Sequence, residues 1–187
     1  MHYSTTDGGY GYGGNFSYTM NSMISIGASL GLGKTKKPAA TSVAFGPYLN
    51  FYPVKYSKAD PVTIIFSGGI NYYVHSNELL DSLDLDLIGA SLDAAASILY
   101  HIRIDQSWQI IPGVAFGYQY RSLRISDKTY ASLEETAHHT SLSVATDIAF
   151  RIHNKSLLYF GPSINFGLNR KGNDNTTYSF GVGVAFK

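Results

Sequence analysis

The amino-acid sequence predicts an all-β protein, an antiparallel up-and-down β-barrel that crosses a membrane. Three observations carry this expectation. Apolar residues alternate at period two with small or polar ones almost throughout, and helical spacing at three and four is nearly absent. Charged residues make up 14% of the chain, against roughly 25% in a soluble globule, while aromatics also reach 14% and Gly and Tyr number 19 and 15. The breaks between runs are alternately short and long, the asymmetry of a transmembrane barrel with tight turns on one side and longer loops on the other. A length of 187 residues suits one barrel domain, 1–187.

Strands are predicted at 9–20, 24–32, 41–53, 61–75, 87–103, 107–126, 139–152, 156–169 and 176–187. The first two are free of charge and rich in Gly, Ser and Tyr. In the fourth, Val62, Ile64, Phe66, Ile70, Tyr72 and Val74 oppose Thr63, Ser67, Gly69, Asn71, Tyr73 and His75. The fifth slips phase, since Leu87, Gly89, Ser91 gives way to Leu92, Ala94, Ala96, Ile98, and a β-bulge near Gly89 is the expected reason. The sixth sets Trp108, Ile110, Val114, Phe116, Tyr118 and Tyr120 against Gln109, Gly113, Ala115, Gly117, Gln119 and Arg121. The seventh and eighth keep the same register. Pro47, Pro112 and Pro162 fall inside strands, where each removes a ladder donor, and each lies beside a glycine. Residues Phe45 to Phe51 and Phe160 to Phe166 are near copies, which predicts a repeated hairpin element bent at the same place.

The remaining segments hold the breakers and most charges: Lys34 to Ala40, Lys55 to Asp60, Asn77 to Asp86, Ile104 to Ser107, Asp127 to His138, His153 to Ser156 and Arg170 to Thr176. Asn77 to Asp86 and Asp127 to His138 are the long connections, expected outside the cell. Nine runs conflict with the even strand number of bacterial barrels. Eight strands is the expectation, with 1–20 an N-terminal extension or extra strand. Ten follows instead if a partner strand lies in or before Met1 to Gly9.

One face of the strands is oily and the other mostly Gly, Ser, Ala, Asn and Tyr, so the small face is assigned to a narrow lumen and the oily face to lipid. Asp93, Arg103, Arg121, Asp147 and Arg151 are then lumen charges that neutralise one another, and His75 and His101 also point inward. Tyr72, Tyr100, Trp108, Tyr118, Tyr120 and Tyr178, near strand ends, are expected in the aromatic girdles at the membrane interfaces. Zero cysteines remove disulfides, thiolate metal sites and a cysteine nucleophile. No run of about 20 apolar residues exists for a transmembrane helix. The net charge of +1 gives no footprint for nucleic acid. Met1-His2-Tyr3-Ser4 does not open a signal peptide, so an exported protein is expected here in a mature or trimmed form.

The chain resembles the small outer-membrane β-barrels of Gram-negative bacteria, the OmpA-like and OmpX-like barrel domains of the porin-like superfamily, over nearly its whole length. The most specific piece is Ser179-Phe180-Gly181-Val182-Gly183-Val184-Ala185-Phe186, similar to that family's terminal assembly signal through Ser179, Gly181, Val184 and Phe186. Lys187 departs from the pattern by following the terminal Phe. The segment from Gly14 to Leu32 is similar to the family's first hairpins. The resemblance implies the bacterial outer membrane, with its lipid as surroundings and the barrel-assembly machinery as a transient partner.

The densest titratable cluster is Glu134, Glu135, His138, His139 and Ser141. It lacks the spaced helical pattern of zinc motifs. His139-Thr140-Ser141 weakly resembles the His-any-Ser element of barrel lipid-A deacylases, without its usual following residues. A solvated loop is the expectation, with no catalytic, cofactor or metal site. The functional expectation is a non-enzymatic outer-membrane barrel, its lumen plugged by side chains, acting as a structural or surface-interaction protein through outer loops. The loop residues are Glu78, Asp81, Asp84, Glu134, Glu135 and His138, and the partner expected there is an extracellular or envelope protein. A small pore is the alternative and requires ten strands or a poorly filled lumen. A lipid-A hydrolase and a soluble lipid-binding barrel of lipocalin type are the remaining readings.

Overall fold

The computed structural model describes the chain except residues 7–8, 21–22, 37–38, 58–59, 77–84, 128–132, 154–155, 170–175 and 187. Eleven strands follow in order: β1 (His2–Thr6), β2 (Gly9–Met20), β3 (Ile24–Lys36), β4 (Ala39–Val54), β5 (Val62–Ser76), β6 (Leu85–Tyr100), β7 (Ile102–Arg103), β8 (Trp108–Asp127), β9 (Leu133–His153), β10 (Ser156–Gly167) and β11 (Thr176–Phe186). All pairings are antiparallel. β1 pairs with both β2 and β11, and β6 pairs with β8, so the sheet has no free ends. Ten strands form the closed wall, and β7 is a two-residue ribbon against β8.

The wall therefore has ten strands, not the favoured eight. Residues 1–20 are no extension: β1 and β2 are both staves of the barrel. β1 escapes a periodicity search because His2, Ser4 and Thr6 alternate with Tyr3 and Thr5, a pattern with no oily face.

The expected bulge near Gly89 is absent. β6 runs in unbroken register against β5 from Val62↔Tyr100 to His75↔Leu87, and against β8 from Leu85↔Asp127 to Leu99↔Gly113. Leu87, Gly89, Ser91 and Asp93 share the inward face, while Ile88, Leu92 and Ile98 face out. The apparent slip is a leucine at the end of the polar face.

The glycine-proline steps do break the ladder. Pairing of β4 with β5 skips from Phe45 to Tyr48, and pairing of β10 with β9 skips from Phe160 to Ser163, while the opposite side of each proline stays paired. Proline supplies no N–H there, and a Cβ on Gly46 or Gly161 would collide with the carbonyl of Ile70 or Thr146. The two near-copy segments thus make the same close approach.

The described residues form no apolar core inside the barrel. Among the described residues the buried hydrophobic is Ala149, and the polar Ser25, Thr63 and Ser91 are buried with it. Most large apolar side chains point outward, with Phe16 76%, Leu30 55% and Phe116 50% exposed, while Leu87, Leu99 and Leu123 are inward. A soluble barrel inverts this arrangement, so the lipocalin reading fails. On β8 the outward face is apolar or aromatic from Trp108 to Tyr120 and polar at Ser122 and Arg124. At ~3.4 Å per residue and a tilt of ~40°, that run is roughly 30 Å tall, the thickness of bilayer hydrocarbon. Closure satisfies the backbone donors that lipid cannot.

Connections 77–84 and 128–132 lie at one end of the barrel, here the loop end. Connections 101–107 and 154–155 lie at the other, the turn end. The expected length alternation does not hold, because 37–38, two residues, belongs to the loop end and 101–107 at the turn end is longer than 128–132. β8 and β9 are 20 and 21 residues long, about twice the 9–11 needed to cross a bilayer. The expected loop Asp127 to His138 is therefore mostly strand.

Candidate functional site

Alternation places Ser29 of β3, Asn71 and Tyr73 of β5, Ser91 and Asp93 of β6, and Gln119 of β8 on the inward face at one level. Their hydrogen bonds converge on Asp93. Gln119 Nε2 donates to Oδ1 at 2.7 Å, Ser91 Oγ donates to Oδ2 at 2.9 Å, and Asn71 Nδ2 also donates to Oδ2. Ser29 Oγ donates to Asn71 Oδ1 at 3.1 Å. Since the Ser91 proton goes to Asp93, the Tyr73 hydroxyl donates to Ser91 Oγ at 2.9 Å. All donors point toward one carboxylate, and its partners are amides and hydroxyls rather than the arginines expected to neutralise it.

One inward step toward the loop end, Arg121 lies over the Tyr73 ring at 4.9 Å, and its Nη2 is 2.9 Å from His75 Nε2. Arginine only donates, so His75 accepts through an unprotonated Nε2. Toward the turn end the lumen is narrowed by Tyr48, Tyr52 and Tyr159. Asn50 Nδ2 donates to the buried Ser25 Oγ at 3.3 Å. Between these two layers lies a chamber of about 450 Å³, lined by Ser67, Asp93, Gln119, His139, Ser141 and Asn165 among others. It exists because inward positions at this level are Gly69, Ala95, Gly117 and Gly167. The lumen is therefore not plugged throughout, which corrects the sequence expectation.

Of the five expected lumen charges, Asp93, Arg121 and Asp147 are inward and partly buried. Arg103 and Arg151 are not lumen residues in this sense. Both are exposed at the turn end, where Arg103 Nε donates to the Asp105 carbonyl at 2.9 Å and the Arg151 backbone N–H to that of Ser107 at 2.8 Å. His75 is inward as expected. His101 sits beyond the end of β6, stacked on Tyr56 with ring centroids 4.5 Å apart and 3.0 Å from Thr63 Oγ1. Burial holds its imidazole below the usual histidine range, and a hydrogen bond with Gln109 offsets part of this.

The six aromatic residues assigned to girdles all face outward. Trp108 packs on Phe150 (4.5 Å) and Tyr72 on Phe45 (5.7 Å). Tyr100 marks the turn end of β6, and Tyr178 lies near the start of β11. Tyr118 and Tyr120 flank His138, whose Nδ1 is 2.6 Å from the Tyr118 hydroxyl. His138 is thus part of the outer wall, not of a loop. Asn169 braces it, accepting from the Thr140 N–H at 2.9 Å and donating to the His138 carbonyl at 2.5 Å.

Glu134 and Glu135 also belong to β9. Glu134 Oε1 accepts from Ser122 Oγ at 2.8 Å across the β8–β9 ladder. Glu78, Asp81 and Asp84 lie outside the described residues. Ser179 and Gly181 face the lumen, Val184 faces out, and Phe186 ends β11 opposite Ser156. His139 and Ser141 line the chamber, on the side of the wall away from lipid acyl chains. Among the described residues no three His, Asp or Glu side chains converge as metal ligands.

Sequence reasoning missed the Asp93 network because its members are mostly uncharged and lie on four strands. Its one sequence signal was the shared polar face of Asn71, Tyr73 and His75.

No protein-family model matches the chain, and no curated protein matches it. Similar solved structures include the translocator domain of autotransporter NalP from Neisseria meningitidis, at 12% identity and a TM-score of 0.58, covering 100% of this chain and 85% of that one. Another is Ail, the attachment invasion locus protein of Yersinia pestis, at 12% identity and a TM-score of 0.44, covering 99% and 95%. The likeness to the NalP domain is one of fold. The chain has the fold of outer-membrane β-barrels, closed and antiparallel with a lipid-facing belt.

Proposed function

We propose that the chain is a non-enzymatic barrel of the bacterial outer membrane that acts at the cell surface through the upper part of its β8–β9 hairpin. The observation behind this reading is the continuation of β6, β8 and β9 above the belt. Leu85 to Ala90 pair with Ser122 to Asp127, and Leu123 to Ile125 pair with Leu133 to Glu135. This rigid platform turns Arg124, Glu134 and Thr136 to its outer side. Strand-borne side chains are held more firmly than loop side chains, which lowers the ordering entropy of binding. The partner class is an extracellular or envelope protein. Replacing residues 122–136 by a two-residue Asn-Gly turn, which joins the paired Arg121 and Ala137, is expected to leave folding into detergent intact and to abolish adhesion of displaying cells to immobilised matrix protein. Adhesion equal to that of the full chain rejects the assignment.

A second reading is favoured by the ten-stranded wall and the polar chamber together: passage of small solutes through the lumen. Unit conductance of the refolded barrel in planar bilayers tests it, and a silent, folded barrel rejects it.

A further inference from the structure

We infer that the chamber at Asp93 is a site for small monovalent cations, of alkali or ammonium type, and that it makes passage through the barrel cation-selective. The inference rests on the solute-passage reading. Three features of the lumen carry it.

The first is the direction of the hydrogen bonds. Asn71, Ser91 and Gln119 all donate to Asp93, and Tyr73 and Ser29 donate to two of those donors. Three side chains able to donate thus converge on one carboxyl group. The second is charge. None of the Asp93 partners is a cation, and Arg121, one inward step away, is directed at His75 and the Tyr73 ring. The negative charge faces a chamber whose other lining groups at that level are hydroxyls, amides and His139. The third is setting. The wall is surrounded by lipid, so the field of one carboxylate inside it is poorly screened. A cation entering trades part of its water shell for the oxygens of Asp93, Ser67, Ser141 and Thr177. An anion meets repulsion from the same carboxylate. Selectivity in channels commonly rests on carboxylates placed this way.

The test uses the full chain refolded in detergent and inserted into planar bilayers under a KCl gradient. The reversal potential is expected to shift from zero toward that of K⁺, with a K⁺ over Cl⁻ permeability ratio on the order of 5 or more, the sign set by a lumen carboxylate. Asp93→Asn is expected to bring the ratio close to unity. The amides of Asn71 and Gln119 can rotate to accept from the new side chain, so the network survives. Ser141→Lys places a positive charge in the same chamber without touching Asp93 and is expected to remove or reverse the preference. A heat-dependent gel shift verifies that each variant has folded. Conductance without cation preference, or a preference that neither variant changes, overturns the cation site alone. A folded barrel with no conductance overturns the solute-passage reading and the site with it.

Discussion

The ring of Tyr159 on β10 covers Gly183 of β11, occupying the space a side chain at Gly183 would fill. Tyr48 covers Gly27 in the same way, its Cζ 2.5 Å from where a Cβ would stand. Both rings are inward, so the glycines of the polar face are sockets for aromatic side chains as well as space for the chamber. A Cβ at Gly183 forces the ring off its rotamer or the strands apart. Gly183→Val is expected to destabilise the barrel by about 1–3 kcal/mol, the range for overpacking. The midpoint of urea-induced unfolding in lipid vesicles reads this, and an unchanged midpoint removes the socket role.

Asp105 closes the turn between β7 and β8. Its Oδ1 accepts from the backbone N–H of Ser107 at 2.6 Å and of Trp108 at 2.8 Å. Those bonds, Ser107 first and with a smaller contribution from Arg103, hold its carboxyl below the usual carboxylate range although the group is exposed. A lowered folded-state value means the added stability is present above about pH 4, where an unconstrained Asp is ionised, and is lost as pH falls through the lowered value. Asp105→Ala is expected to lower the urea midpoint at pH 7. Asp105→Asn keeps an acceptor oxygen, so it should stay near the parent at pH 7 and lose part of the decline below about pH 4. An Asn variant whose acid limb matches the parent's shows that other groups set that limb.

What the sequence makes legible depends on lipid. From Trp108 to Tyr120, or Val62 to Val74, one face must be oily, and period two reveals the strand. Above the belt that requirement ends. Ser122, Arg124, Glu134 and Thr136 face water, the oily face disappears, and the ladder continues unseen, so the β8–β9 hairpin looks like a long loop. β1 is hidden for a related reason, since Tyr3 is its sole large outward residue. The strand number follows from β1 and was therefore underestimated. The chamber was illegible for a different reason. Gly69, Gly117 and Gly167 each look like ordinary small lumen residues, and only their common level leaves a void.

The outward direction of Val144 tests the inside-outside assignment. It pairs with Val114 and Ile164, midway along the apolar belt. Val144→Arg is expected to destabilise the barrel in vesicles by about 2–4 kcal/mol, as for arginine near a bilayer midplane. Ala145, the next residue, faces the lumen, and Ala145→Ser is expected to change stability far less. Equal tolerance at both positions contradicts the lipid-facing belt.

Gly117 separates the two functional readings with one substitution. It faces the chamber from β8, and a Cβ there would lie 2.9 Å from Ser141 Oγ, the end of a side chain able to rotate away. The chamber therefore offers room for a larger residue at little strain. Gly117→Leu is expected to fold like the parent and to adhere to matrix protein like the parent, because the β8–β9 platform is untouched. Its conductance is expected to fall several-fold, as leucine fills part of the chamber and replaces polar lining by methyl groups that disfavour water. Adhesion and conductance measured on the same preparation read both outcomes. Parent-like conductance places the path away from the chamber, and lost adhesion in a folded variant ties surface binding to the lumen rather than to the hairpin.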